Sequence, residues 1–201
     1  MRLALVLALA LSPAVARADV DWASGLVTAG GVGVADRHAP NPAVARGTSR
    51  RGAEDAAKKK LAEEVAALPV ARGGKVADIA KVDTPVAARL AAAVDHALTL
   101  AAEPETDGAW RVTMAVPIEA VRQALAGPRS LAAAGDHDPP VTIVDGVSGK
   151  PAVGALDAAT IWVKEPPAWA KDAPHVAGKR GKGRIEGITP AAATLYVIVS
   201  K

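Results

Sequence analysis

This chain of 201 residues has no cysteine and no phenylalanine, one tyrosine and four tryptophans. The missing cysteine excludes disulfides, cysteine-ligated metals and the cysteine-borne lipid anchor of a bacterial lipoprotein. Scarce aromatics leave a core of small aliphatic side chains. Each alanine buries little area, at about 25 cal/mol per Å², so stability has to come from many small contacts. An excess of one charge is lacking as well: 24 Lys and Arg face 21 Asp and Glu, a formal net charge of +3. That balance argues against a nucleic-acid partner.

The apolar run Leu3–Leu11 is shorter than the roughly 20 residues that cross a membrane. Arg2 precedes it, Ser12-Pro13 breaks it, and Ala16-Arg17-Ala18 puts small residues where a signal peptidase reads. A secretory signal over 1–18, cleaved after Ala18, is expected. Its loss takes Arg2 and Arg17 away and brings the charge close to neutral. The expected location is periplasmic or secreted, or peripheral to the outer membrane, with no transmembrane span after cleavage.

Past the signal, "GLVTAGGVG" (25–33) raises the question of a phosphate loop. A dinucleotide loop needs its glycines directly before a helix. The next helix start is Asn41-Pro42, well past Gly33, so a strand is expected, with Gly30, Gly31 and Gly33 marking a bulge or a close backbone approach. Asn41 as cap and Pro42 in the first turn open a helix. Ala53, Ala57, Leu61, Val65 and Leu68 form its apolar face, and Pro69 ends it. Gly47 and Gly52 weaken its first half or let something pack closely. Gly73-Gly74 reads as a turn between short apolar pieces. A second helix follows Asp83-Thr84-Pro85, with Val86, Leu90, Val94 and Leu98 recurring every four residues. Asp107-Gly108 is a hairpin turn, and Trp110, Val112, Met114 and Val116 alternate as a strand. "IEAVRQALAG" is a short third helix. Three β-rich runs, "VTIVDG", "ATIWVK" and "TLYVIVS", make up the tail.

The expected fold is α+β: a small, mostly antiparallel sheet packed on two main helices, followed by a β-rich C-terminal extension. The divisions are a signal at 1–18, an α/β domain at 19–126, a linker at 127–140 and the extension at 141–201.

The order of these features resembles a known family. Trp22, the glycine-rich strand, "APNPAVARGTSRRGAEDAAKKKLAEEVAAL", "GGKVADIAKVDTPVAARLAAAV" and the hairpin ending in "WRVTMAVPI" are similar to the twenty-kilodalton bacterial membrane-lipoprotein family. They also resemble the related N-terminal domain of the flagellar T-ring assembly protein. The resemblance covers roughly 20 to 126, and "VTIVDGVSGKPAVGALDAATIWVKE" is similar to an extension in some members. It implies an envelope-associated α/β domain with a role in surface or flagellar assembly. The lipid-bearing cysteine is absent here, which favours a soluble periplasmic protein, and the flagellar role does not carry over.

Catalytic signatures fail on inspection. "GVSG" (146–149) is no nucleophile elbow, and Val144 and Pro151 break the P-loop pattern around Gly149-Lys150. Asp136, His137 and Asp138 are adjacent without a second ligand cluster, so no metal is expected. His38, His96 and His175 are isolated. Glu103, Glu105 and Asp107 sit together at a hairpin turn, where solvated acids are ordinary. No cofactor is expected.

The remaining candidates are surface contacts: Lys179, Arg180, Lys182 and Arg184 in "KRGKGR", and Trp169 in the loop "EPPAWAKDAP". Trp162 and Tyr196, in strands, are expected in the core. The functional expectation is an exported, non-catalytic envelope protein, a binding or assembly module. Its partner would be an envelope protein, an anionic envelope polymer or another copy of the chain. The alternative is a small periplasmic hydrolase with its site between the α/β part and the tail.

Overall fold

The structure is a computed structural model that describes residues 18–127, 140–181, 183–191 and 193–200. The signal run, Lys182, the Asp136-His137-Asp138 cluster and nearly all of the expected linker lie outside the described residues.

The fold is α+β. In the N-terminal lobe, β1 (Asp19–Asp21), β2 (Leu26–Gly33), β3 (Leu98–Pro104) and β4 (Trp110–Pro117) form a sheet in the order β1-β2-β4-β3. All its pairs are antiparallel. The helices are α1 (Pro42–Ala67), α2 (Val76–Val82), α3 (Thr84–Asp95) and α4 (Ile118–Ala126). Side chains from all four join one core with β2 and β4.

Helix α1 starts where the sequence places it. The Asn41 side chain accepts the amides of Ala43 and Val44, both at 3.0 Å, which satisfies donors that a helix start leaves open. Its buried stripe is Ser49, Ala53, Ala57, Leu61 and Val65. The small end of this stripe lies on the glycines of β2. A Cβ on Gly31 would fall 1.9 Å from the Ala53 carbonyl oxygen, and one on Gly33 1.8 Å from that of Ser49. Ser49, buried, donates its hydroxyl to the Gly33 carbonyl at 2.6 Å. The glycine-rich stretch is therefore a strand stripped of side chains so that a helix can lie on it, not a phosphate cradle.

The stretch after Gly73-Gly74 differs from its expectation. It holds a helix, α2, seven residues long. The Lys75 amide donates to the Asp78 carboxylate at 2.8 Å, and Val76 is buried in the core. So short a helix is marginal alone and is held by packing on its neighbours. Helix α3 starts at the Asp83 cap, which accepts the Val86 amide at 3.0 Å.

The tail forms its own sheet. Strands β5 (Val141–Val147), β6 (Ala159–Val163), β7 (His175–Ala177) and β10 (Leu195–Ser200) align in the order β6-β10-β5-β7. Every pair is parallel. A small antiparallel pair, β8 (Lys179–Arg180) and β9 (Ile185–Glu186), lies beside it. Parallel sheets usually carry helices on both faces; here loops do that work. The β5–β6 connection covers one face with Ala152, Ala155 and Leu156, and the β7–β10 connection adds Ile185 and Ile188 to the same face. The β6–β7 connection covers the other face with Ala170 and Ala173. Connections running one way along the sheet use one face, and the connection running back uses the other. All three crossovers therefore share a single hand, as parallel connections do.

The lobes meet along a seam of backbone and side-chain contacts. The Trp162 amide donates to the Trp22 carbonyl, the Ala71 amide to the Val153 carbonyl, and the Val153 amide to the Pro69 carbonyl, each at 2.9 Å. Arg122 of α4 reaches Asp157 at 3.3 Å. Trp22 packs against both cores.

Candidate functional site

The basic segment is not a free loop. Arg180 stacks over Trp162, 5.5 Å from the ring centroid, and donates to the Lys150 carbonyl. Gly183 lies so close to the N-terminal lobe that a Cβ there would fall 1.9 Å from the Ala71 carbonyl oxygen. Lys179 and Arg184 are exposed, and Lys179 sits opposite Glu186 in the β8–β9 register.

Trp169 is 61% exposed on a short 3-10 turn, Ala168–Ala170. That turn packs through Ala170 on one face of the parallel sheet, whereas β9 packs through Ile185 on the other. Trp169 and the cationic hairpin are thus set on opposite faces, and no joint basic-aromatic patch forms among the described residues. Trp162 and Tyr196 are buried, as expected. Tyr196 accepts the Ala191 amide at 2.9 Å. The Trp162 indole N–H has no acceptor among the described residues.

The seam holds an electrostatic cluster. Arg122 bonds Glu119 through two guanidinium nitrogens, at 2.7 and 2.6 Å, and Asp157 through a third. The hydrogen bond that Arg122 donates to Glu119 holds its guanidinium charged, above its ordinary value, against the opposing effect of burial. This is a structural bridge between α4 and the tail. On the outer strand of the parallel sheet, His175 Nδ1 lies 2.6 Å from Asp145 Oδ2, with both side chains about half exposed. Among the described residues, no group of three or more His, Asp or Glu side chains is placed to hold a metal ion.

One concave apolar surface stands out, and no single sequence pattern announces it. Helices α1, α2 and α3 enclose a groove of about 420 Å³. Ala62, Val65 and Ala66 of α1, Val76, Ala77 and Ala80 of α2, and Ala87, Leu90, Ala91 and Val94 of α3 line it; Lys58, Lys59 and Asp95 supply its charge. Alanine makes this groove: side chains one carbon long leave the space between three helices unfilled. The signal is present in "AKKKLAEEVAAL" and "VAARLAAAVD" as alanines beside each core stripe, but seeing the groove requires α2. A concave, mostly apolar surface with a few charges at its margin is the usual form of a binding site.

No protein-family model matches the chain, and no curated protein matches it either. Among the described residues, no helix is long and apolar enough to cross a membrane.

Proposed function

We propose that this chain is an exported, non-catalytic module of the bacterial envelope that binds or assembles with a partner. The observation that carries this reading is the apolar groove of α1, α2 and α3. Its floor suits another helix or apolar segment approaching closely, as in helix-in-groove recognition. The signal-like N-terminus and the resemblance of residues 20 to 126 to the membrane-lipoprotein family support an envelope address. The missing cysteine removes the means of a lipid anchor and favours a periplasmic location.

The test joins location to contact. Fractionation of cells expressing the chain should place it in the periplasm or with the outer membrane. A photo-crosslinking amino acid at Ala80, inside the groove, should give a discrete adduct in that fraction, and one at exposed Asp172 should not. Recovery only in the cytoplasm, or no adduct from Ala80, would count against the proposal.

A further inference from the structure

We infer that the carboxyl end of the parallel sheet is a binding site for an extended polyanion, and that Lys150, Lys164 and Lys179 are its contacts. This deepens the binding-module reading by naming a class of partner, on a surface separate from the helical groove.

The topology brings these cations together. Lys164 directly follows β6, Lys179 follows β7 after one glycine, and Lys150 follows β5 in the loop Ser148-Gly149-Lys150. All three strands are parallel, so all three lysines leave the same end of the sheet. The connections after β5 and β6 depart on opposite faces, with β10 ending between them. Such a switch point opens a crevice at the carboxyl ends of the strands, where ligands of open parallel sheets bind. Lys150 stands on one lip and Lys164 on the other. Ser200 lies between them on the floor, its hydroxyl donating to the Val163 carbonyl at 3.3 Å.

Arg180 positions the site. It stacks over Trp162 and donates to the Lys150 carbonyl, which ties the β5 loop to the segment that carries Lys179. Lys150, Lys164 and Lys179 are exposed and make no ion pair among the described residues. Glu165, Glu186 and Asp145 are the neighbouring acids in sequence and register, and the Asp145 carboxylate is engaged by His175 at 2.6 Å.

The spacing selects the ligand. Strands about 4.8 Å apart place the lips roughly 10 Å from each other and Lys179 about 5 Å further on. Point charges spread over that span match several anionic groups on one polymer better than a single anion. Lysines present no rigid fork, so recognition rests on charge and is strongly salt-dependent.

The experiment titrates the purified chain with long-chain polyphosphate and follows affinity and amide resonances. The chain is compared with K150A/K164A/K179A and with the charge-matched control R46A/R51A/K81A. Circular dichroism checks that each variant is folded. The parent should bind, and raising salt from about 50 to about 200 mM should weaken it steeply. The rim variant should bind about tenfold more weakly or worse, because three exposed cations no longer meet the polymer. The control should stay within about twofold of the parent, since its cations lie away from the sheet end. The amides of Lys150, Lys164 and Lys179 should shift in the parent. Equal affinity of parent and rim variant overturns the inference, as does an equal loss in the control. Binding to vesicles containing phosphatidylglycerol with none to polyphosphate also overturns it. A failed groove crosslink leaves this result untouched, and the reverse holds too.

Discussion

A methyl group on Gly31 would sit 1.9 Å from the carbonyl oxygen of Ala53, inside the backbone of the helix that covers it. The obstacle is main chain, which no rotamer change can move aside. Gly31→Ala should therefore force α1 away from β2 and cost about 2–3 kcal/mol or more. Gly47, in the first half of α1, faces open space, with nothing within 4 Å of where a Cβ would stand. Gly47→Ala should stabilise by about 0.5–1 kcal/mol, from helix propensity alone. Urea midpoints of the two variants should move in opposite directions; a shift of the same sign would discount the close approach.

Arg122 offers a test of how firmly the lobes are joined. Its side chain is 14% exposed and serves both Glu119 and Asp157. Asp157→Asn weakens the link across the seam while leaving the Arg122–Glu119 pair in place, and should cost about 0.2–1 kcal/mol. Arg122→Met also takes from Glu119 its two guanidinium bonds, leaving it the Gln123 amide, and should cost more, about 1.5–3 kcal/mol. Chemical unfolding ranks the pair, and a larger loss in Asp157→Asn would reverse the assignment of Arg122 as chiefly the partner of Glu119.

Asp21 gives the chain a small acid sensitivity. The Ser24 hydroxyl beside it, with the amides of Ala23 and Ser24, holds its carboxyl below the usual value of 3.8. A carboxylate with a depressed folded value contributes stability that is present above the unfolded value and is lost as pH falls through the folded one. The contribution should thus be complete at neutral pH and fade below about pH 4. Ser24→Ala should raise the Asp21 titration midpoint, read by carboxyl carbon NMR, toward the ordinary value; an unchanged midpoint would remove Ser24 as the cause.

The parts of the fold written in local chemistry are legible in the sequence. Asn41-Pro42 caps α1, Asp83 caps α3, and Asp107-Gly108 turns the hairpin with Gly108 at a φ of +83°. The β2 glycines signal a bulge or a close approach, and the structure shows the close approach. The glycines of α1 take little part in it. A Cβ on Gly52 would meet only the Gly33 Cα, at 3.9 Å, so the intimacy comes from the strand side. Helix α2 is hidden in the sequence because "VADIAKV" is too short to show a period. The direction of β5, β6 and β10 is hidden too, since an apolar run looks alike in either orientation. Of the candidate contacts, Lys179 and Arg180 lie at the cationic end of the sheet, Arg184 is exposed in the same hairpin segment, and Trp169 is set on the other face. Lys150 and Lys164 escape a reading of the sequence because only the strand order and direction bring them to the same end of the sheet as Lys179.

Strand β10 comes last of the ten described strands in sequence yet lies between β6 and β5. During synthesis β6 consequently cannot join the β5–β7 pair until Leu195–Ser200 are available, since β5 and β6 touch through that strand and not directly. The N-terminal lobe owes β10 no strand pairing and can form first. A nonsense mutation anywhere after Thr194 and before Val197 would then leave one folded lobe trailing an open, apolar segment, a ready substrate for proteolytic clearance.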